Sequence, residues 1–397
     1  MDFTVADALA DSRDAARRWV GEHLPELDEW IEEQRVTGNY LSLECHRRLA
    51  AAGWLGAGWP KEYGGTDNDV NVANAIEQEI RAAGLQIAAW RTTTFIINTI
   101  REIGSEAQKR EIIAGALRGE ITISLGYTEP DSGSDVAAAK TTAERDGDEW
   151  VINGQKMFTT HANFATHVFM LTRTNPDVPK HKGLTTFLVR LDSPGVEIQP
   201  VRTIGGERSN ATFYTDVRTP DHYRVGDVDG GWSVMHTALV YEREAGGGAG
   251  AFGGGPTLAQ RVAAWAQHTR REDGARVWDD GTVRERVARI AIDEEVTRML
   301  LLNARLAAER SDRSGIPGAA AKLFGKVAAQ RHNATLLDVL GPEAVLHREA
   351  ADAPLLAAVE EAFRADVVKT IYGGSSEIMR EIIAERQLGL PKARPNR

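Results

Sequence analysis

The feature that most constrains the fold is a loop rich in glycine and hydroxyl side chains, residues 126–135, which directly follows the apolar run 121–125. Such a loop brings several backbone N–H groups and hydroxyls close together, which suits an anion such as a pyrophosphate. Further along, residues 152–160 contain Asn153-Gly154, a dipeptide typical of a two-residue hairpin turn. We therefore predict a strand, an anion-binding loop and then a β-hairpin.

The spacing of apolar residues divides the chain into three parts. Residues 1–119 and 231–397 carry apolar residues at helical spacing, whereas residues 120–230 alternate with the period of two that is typical of strands. The strand-like segments follow one another without helices between them, which favours an antiparallel barrel or a small sandwich. We predict an α+β protein with an N-terminal helical domain, a middle β domain and a C-terminal helical domain.

Composition excludes several classes of function. The net charge of −10 over 397 residues leaves no basic stripe for nucleic acid. Cys45 is the single cysteine, so neither an intrachain disulfide nor a site of several thiolates is possible, and the histidines show no metal-ligand spacing. No run approaches the ~20 apolar residues that span a bilayer, so we expect no membrane span and a cytoplasmic location.

The glycine-rich run 246–256 is either a flexible connector or a site of close approach to a bulky group.

Five segments together resemble the acyl-CoA dehydrogenase family, over essentially the whole chain. They are residues 126–135 and 152–160, already described, with residues 58–65, 340–341 and 371–380. The resemblance implies a middle antiparallel β-barrel, a C-terminal four-helix bundle and bound FAD. It also implies α,β-dehydrogenation of an acyl-CoA thioester, in which a glutamate removes the alpha proton and hydride passes from the beta carbon to flavin N5.

The resemblance also assigns roles to individual residues. Those that would contact FAD are Leu125, Tyr127, Thr128, Gly133, Ser134, Phe158, Thr159, Thr160, Gly341, Ser375 and Glu377. Those that would contact the acyl-CoA are Ser134, Arg243 and Gly373. The alternative for the second segment is that Phe158 is a barrel-core aromatic and that the threonines are ordinary strand residues.

The position of the catalytic base departs from the commonest family pattern. Many members carry a glutamate directly after the tyrosine of a C-terminal Tyr-Glu-Gly-Thr motif, and here that position is Gly373. A second branch places the glutamate, followed by an arginine, on the helix after the β domain, which corresponds to Glu242 and Arg243. Glu242 could instead be a structural partner of an arginine, or Glu244 could be the base. On a regular helix Glu244 faces away from Glu242, which favours Glu242.

Two further departures bear on assembly. The family usually reaches FAD across a subunit interface with an Arg-x-x-Phe segment and a later glutamine, but residues 270–281 match poorly and Pro342 replaces a usual glycine. The pattern resembles actinobacterial α2β2 enzymes, several of which act on sterol side-chain CoA thioesters. We expect a homotetramer or an α2β2 heterotetramer that serves fatty acid or sterol β-oxidation and passes electrons to an electron-transfer flavoprotein. The alternatives are a heteromer subunit with an incomplete FAD site, or an acyl-CoA oxidase or flavin monooxygenase.

Overall fold

The computed structural model describes residues 8–39, 41–246, 256–310 and 314–392. The chain forms two compact units, Met1–Thr203 with Glu207–Ala245 and Ile204–Gly206 with Gly246–Arg397. Helices come first, then strands, then helices, as predicted for the α+β class. The prediction for the glycine-rich run falls mostly on residues 247–255, outside the described residues. The domain boundaries at 119 and 230 remain predictions.

The first unit begins with helices whose apolar faces pack together. They are α1 Ala8–His23, α2 Leu27–Thr37, α3 Leu43–Ala51, α4 Val70–Ala83, α5 Ala88–Ile103, α6 Glu106–Gln108 and α7 Ala114–Leu117, with a π-turn at Lys109–Ile113 between the last two. In α5, Ile96, Ile97 and Ile100 are fully buried. This spacing places them on one face of the helix and explains the helical period of the sequence.

The middle of the first unit is a sheet. Its strands are β1 Ile123–Gly126, β2 Thr142–Asp146, β3 Glu149–Lys156, β4 His167–Arg173, β5 Leu184–Arg190, β6 Val196–Arg202, β7 Arg208–Pro220 and β8 Arg224–Val225. In the described residues they pair in the order β6-β7-β3-β2-β4-β5-β8, with β1 on β4. Most pairs are antiparallel, but β1 and β2 run parallel to β4. Strand β4 is buried on both faces, as its continuous apolar run from Val168 to Leu171 requires.

The predicted hairpin turn at Asn153-Gly154 is wrong, because both residues lie inside β3. The β2–β3 hairpin turns instead at Gly147, since Asp146 pairs with Glu149. Asn153 supports an irregularity in β7: its side-chain oxygen accepts from the Asp216 amide at 2.8 Å, and its side-chain nitrogen donates to the Asp216 carboxylate at 3.0 Å. Asn153 therefore stabilises a β-bulge in β7 and does not form a turn.

The last helix of the first unit, α8 Gly231–Gly246, follows the sheet directly. The second unit consists mainly of helices α9 Leu258–His268, α10 Gly281–Glu309, α11 Ile316–Leu340, α12 Ala358–Asp366 and α13 Ser376–Ile382. Val262, Ile290 and Leu336, from α9, α10 and α11, meet in one buried cluster. Within the described ranges, every helix is too short or too polar to cross a membrane.

Gly154 provides a test of the close approach between β3 and Thr141, the residue before β2. Its φ is +143°, and an added Cβ would lie 2.7 Å from the Thr141 Cα, so Gly154→Ala should lower the free energy of unfolding by about 2–4 kcal/mol. Gly147→Ala is the matched control: its φ is +62° but an added Cβ meets nothing within 4 Å, so the loss should be only about 1 kcal/mol. Urea unfolding measures the free energy of unfolding of both variants. Equal losses would contradict the close packing of Gly154 against Thr141.

Candidate active site

The loop after β1 and the segment after β3 lie side by side. The amide of Met157 donates to the carbonyl of Thr128 at 2.8 Å. The loop itself is closed by reciprocal backbone hydrogen bonds between Glu129 and Ser132, at 2.9 and 3.1 Å. The two segments that the sequence singled out therefore form one surface, although each was recognised separately.

A buried ion pair holds this surface together. Lys156 Nζ lies 2.8 Å from Glu129 Oε1, and the two side chains are 0% and 5% exposed. Lys156 also donates to the Leu171 carbonyl at 2.6 Å. The Glu129 carboxylate accepts from the amides of Lys140 and Thr141 at 2.6 and 3.0 Å. Both charges thus have partners, which a buried ion pair needs if it is to be stable.

The pair is coupled electrostatically. Burial lowers the pKa of Lys156, opposed by the Glu129 charge. Burial acts to raise the pKa of the Glu129 carboxyl, but the Lys156 charge and the hydrogen bonds outweigh it, so that pKa falls below its usual value. The contribution of Glu129 to stability is therefore complete above its unfolded pKa of about 4.3 and is lost as the pH falls through the folded value.

Sequence reasoning missed this pair, although a signal for Lys156 was present. Trp150, Ile152 and Lys156 occupy alternate positions of β3 and are all buried, so the period of two places the lysine on the core side. A lysine there needs a buried acid, and nothing in the sequence singles out Glu129 as that partner.

Phe158 is exposed beside the loop and its backbone is strained. The residue is 58% exposed, with a φ of +55°. The alternative that it is a barrel-core aromatic is therefore wrong. A bulky residue with positive φ is uncommon, and such strain marks a candidate functional position. Thr159 is fully buried and its hydroxyl lies 3.1 Å from that of Thr212, whereas Thr160 is half-buried with its hydroxyl 2.9 Å from that of Ser209.

The outer edge of the loop is open. Gly133 and Ser134 are exposed, and a Cβ added to Gly133 would meet no atom within 4 Å. Beneath them the Ser132 hydroxyl is buried without a partner in the described structure. The exposed backbone of Gly133 and Ser134 and the exposed ring of Phe158 fit the phosphates and ring of a flavin nucleotide. Leu125 and Thr128 are half-buried between this edge and the core.

Two glycines let helix α8 begin against strand β5. Gly230 bridges to Leu184, and a Cβ on Gly231 would lie 2.8 Å from the Leu184 carbonyl oxygen. Met235 on this helix is buried. Glu242 is half-buried and lies seven residues later, which is nearly two full turns and hence the same face of the helix. Glu242 therefore lies at the end of the core-facing stripe.

Arg243 and Glu244 follow in α8, but their side chains lie outside the described residues. The alternatives that involve those two side chains therefore stay open. In the described ranges no cluster of three histidine, cysteine, aspartate or glutamate side chains is placed to hold a metal ion.

The remaining predicted site residues belong to the second unit. Gly341 ends α11 with a φ of +85°, and Gly373 has a φ of +61°. Ser375 caps α13 by accepting from the Ile378 amide at 3.3 Å, and Glu377 lies in the first turn of that helix. Gly373 thus occupies a left-handed turn that favours glycine, and it offers no side chain that could act as a base.

Models of the three acyl-CoA dehydrogenase domains match nearly the whole chain. The N-terminal domain matches residues 7–120, the middle domain residues 124–217 and the C-terminal domain residues 229–388. The chain therefore belongs to the acyl-CoA dehydrogenase family, an oxidoreductase family, which confirms the resemblance seen in the sequence.

Individual relatives agree with this assignment. Acyl-CoA dehydrogenase FadE26 of Mycobacterium tuberculosis (strain ATCC 25618 / H37Rv) is 37% identical over 371 residues, which cover 90% of this chain and 91% of FadE26. The solved Tcur3481-Tcur3483 steroid ACAD is 34% identical with a TM-score of 0.86, and the match covers 99% of this chain and 100% of that chain. The ChsE4-ChsE5 complex from Mycobacterium tuberculosis is 32% identical with a TM-score of 0.84, covering 99% and 100%.

The buried ion pair can be tested by removing its cation. Lys156→Met leaves the Glu129 carboxylate buried without its counter-charge and should lower the free energy of unfolding by about 3–5 kcal/mol. Lys140→Met is the matched control, because Lys140 and its partner Asp131 are 72% and 73% exposed, and we expect a change below about 1 kcal/mol. Urea unfolding compares the two. The double variant Glu129→Gln/Lys156→Met should recover part of the lost free energy of unfolding. A Lys140→Met variant as unstable as Lys156→Met would contradict the role of the buried pair.

Proposed function

We propose that this chain is an FAD-dependent acyl-CoA dehydrogenase in which Glu242 removes the alpha proton of the thioester. The observation that carries the proposal is the position of Glu242. It is a half-buried carboxylate at the end of the core-facing stripe of α8, in a chain whose alternative base position is Gly373. A carboxylate base needs an oriented position away from bulk water, which such a stripe offers.

The flavin would be held by the surface formed from the two joined segments. Phe158 and Thr160 would contact the ring together with Thr128, while Gly133 and Ser134 would bind the pyrophosphate. When bound, FAD supplies the acceptor for the hydride that leaves the beta carbon. The exposed ring of Phe158 and the open edge at Gly133 support this assignment. The roles of Thr159, Gly341, Ser375 and Glu377 are part of the same proposal.

For the chain itself, the chemical task is proton removal and positioning. Glu242 accepts the alpha proton, and Arg243 and Ser134 are proposed to contact the CoA thioester. The buried pair of Glu129 and Lys156 maintains the loop geometry on which this placement depends. Rigid support of this kind keeps reacting atoms at productive distances, a large part of enzymatic rate enhancement.

We propose a bulky acyl group, of the steroid side-chain class, as the substrate. The support is that one solved relative at 34% identity is described as a steroid ACAD. A panel of acyl-CoA thioesters of increasing bulk, including steroid-derived ones, tests this choice. A preference for short straight chains would contradict it.

We also propose that the chain works as one subunit of an α2β2 heteromer. The solved ChsE4-ChsE5 neighbour is described as a complex of two proteins. Within the segment that departs from the family pattern, three arginines are already engaged by their own segment. Arg270 donates to the Gly274 carbonyl at 2.6 Å, Arg271 to Asp280 at 2.9 Å, and Arg276 to Asp279 at 2.8 Å. A partner's flavin would therefore bind these arginines only if these exposed local contacts were exchanged.

Replacing the base should separate catalysis from cofactor binding. Glu242→Gln keeps the shape of the side chain but removes its ability to take a proton, so turnover should fall at least about 100-fold while flavin absorbance is retained. Glu102→Gln is the control, because Glu102 is a carboxylate that accepts from Tyr241 of the same helix at 2.8 Å, and its turnover should stay close to that of the wild type. Assays use an artificial electron acceptor, and retained activity in Glu242→Gln would refute the assignment.

The assembly can be tested by purifying the chain alone. We expect fewer than one flavin per chain and no stable homotetramer, because the distal half of FAD would lack its partner. Absorbance and light scattering give the flavin ratio and the mass. A yellow homotetramer with one flavin per chain would exclude the heteromer.

The electron acceptor distinguishes a dehydrogenase from an oxidase of the same fold. We propose an electron-transfer flavoprotein as acceptor. Turnover that consumes oxygen and forms peroxide without an added acceptor would favour the oxidase alternative instead.

A further inference from the structure

Tyr127 has an unusual position at the end of strand β1. The residue as a whole is half-buried, but its hydroxyl oxygen is enclosed and has no hydrogen-bond partner in the described structure. The ring makes an edge contact with Phe169 of β4, with centroids 6.0 Å apart and an interplanar angle of 75°. The side chain is therefore directed into the protein interior.

Helix α8 and the same tyrosine pack into two common apolar clusters. Tyr127 packs against one cluster that contains Ala238 and against another that contains Met235, and Leu239 packs against the second cluster as well. These positions of α8 form the stripe that ends at Glu242, since residues 235, 239 and 242 share one helix face. The tyrosine thus lies along the face of the helix that carries the proposed base.

The hydroxyl of Tyr127 is a donor that lacks an acceptor. Burial raises the pKa of the Tyr127 phenol, and the negative charge of Glu242 raises it further, so the phenol stays protonated. Buried tyrosine hydroxyls usually find a hydrogen-bond partner, and one that lacks it calls for a functional explanation. Because the oxygen is enclosed, its acceptor is expected to be a group of the protein interior. Glu242 is the charged group that acts on the pKa of Tyr127.

We propose that Tyr127 is a positioning residue for the base, and that its hydroxyl donates a hydrogen bond to the Glu242 carboxylate in the active enzyme. This inference rests on the proposed function. Such a bond would orient the carboxylate and favour its ionised form, which is the form that accepts a proton. The loop that is proposed to hold the flavin would then also set the position of the base.

Tyr241, the polar neighbour of Glu242 in α8, already has a hydrogen-bond partner. The hydroxyl of Tyr241 donates to Glu102 of α5 at 2.8 Å, and Arg101 of α5 lies close enough to act on the pKa of Tyr241. Tyr241 is the residue before Glu242 and carries the same phenol group. Tyr241→Phe is therefore a matched control that removes a hydroxyl committed to a different acceptor.

Tyr127→Phe tests the proposal in the flavin-loaded assembly. The lost hydroxyl had no partner in the described structure, so thermal stability and flavin content should be unchanged or slightly higher. The kcat should fall roughly ten- to a hundredfold with little change in KM, as expected for a lost hydrogen bond to a charged group. The acidic limb of the pH–kcat profile should move to higher pH, because the ionised carboxylate loses a stabilising donor. Tyr241→Phe should leave kcat and this limb unchanged.

Two outcomes would overturn the positioning role. One is a Tyr127→Phe variant with wild-type kcat and pH profile. The other is a variant whose activity falls only in proportion to lost flavin, which would make the tyrosine a cofactor contact. Glu242→Gln separates the two proposals. If it is inactive while Tyr127→Phe is normal, the positioning role alone fails, whereas an active Glu242→Gln removes the proposed base itself.

Discussion

The buried pair of Glu129 and Lys156 is the interaction on which the geometry of the site depends. Lys156 ends β3 and donates to the loop at Glu129 and to the backbone of β4 at Leu171. The carboxylate in turn accepts hydrogen bonds from the amides of Lys140 and Thr141, just before β2. A single pair of opposite charges thereby links the loop to three strands. Because both charges are out of water, moving either one away is costly, and the loop is held in one conformation.

The rest of the first unit builds on this anchor. The loop that Glu129 holds carries Tyr127 on its inner side and Gly133 on its outer edge, and Met157 connects it to the strained, exposed Phe158. Glycines at the start of α8 bring that helix against β5, so that its core-facing stripe leads to Glu242. The same loop therefore carries both the open edge that is proposed to hold the flavin and Tyr127, which packs against the same apolar clusters as α8. A base on α8 would account for a family member that lacks a carboxylate at Gly373.

The order of helices and strands could be predicted from the sequence because the spacing of apolar residues within one segment indicates its secondary structure. The buried face of α5 and the continuous apolar run of β4 are examples. The sequence could not predict the partner of Lys156, which lies 27 residues earlier in the chain. Nor could it show that Asn153 supports a bulge in the neighbouring strand β7, since an asparagine followed by a glycine is typical of a hairpin turn. The parallel pairing of β1 with β4 and the enclosed hydroxyl of Tyr127 depend on tertiary contacts that periodicity does not encode.

In the proposed reaction, a carboxylate of this chain removes a proton alpha to a thioester while hydride leaves the adjacent carbon. The most direct measurement is anaerobic mixing of the flavin-loaded assembly with a bulky acyl-CoA thioester that carries deuterium at the alpha carbon. Flavin absorbance should be lost more slowly with this thioester than with the unlabelled one, because the alpha C–H bond breaks in the rate-determining step. Loss of absorbance at the same rate with both substrates, or no loss with any acyl-CoA, would contradict the proposed reaction.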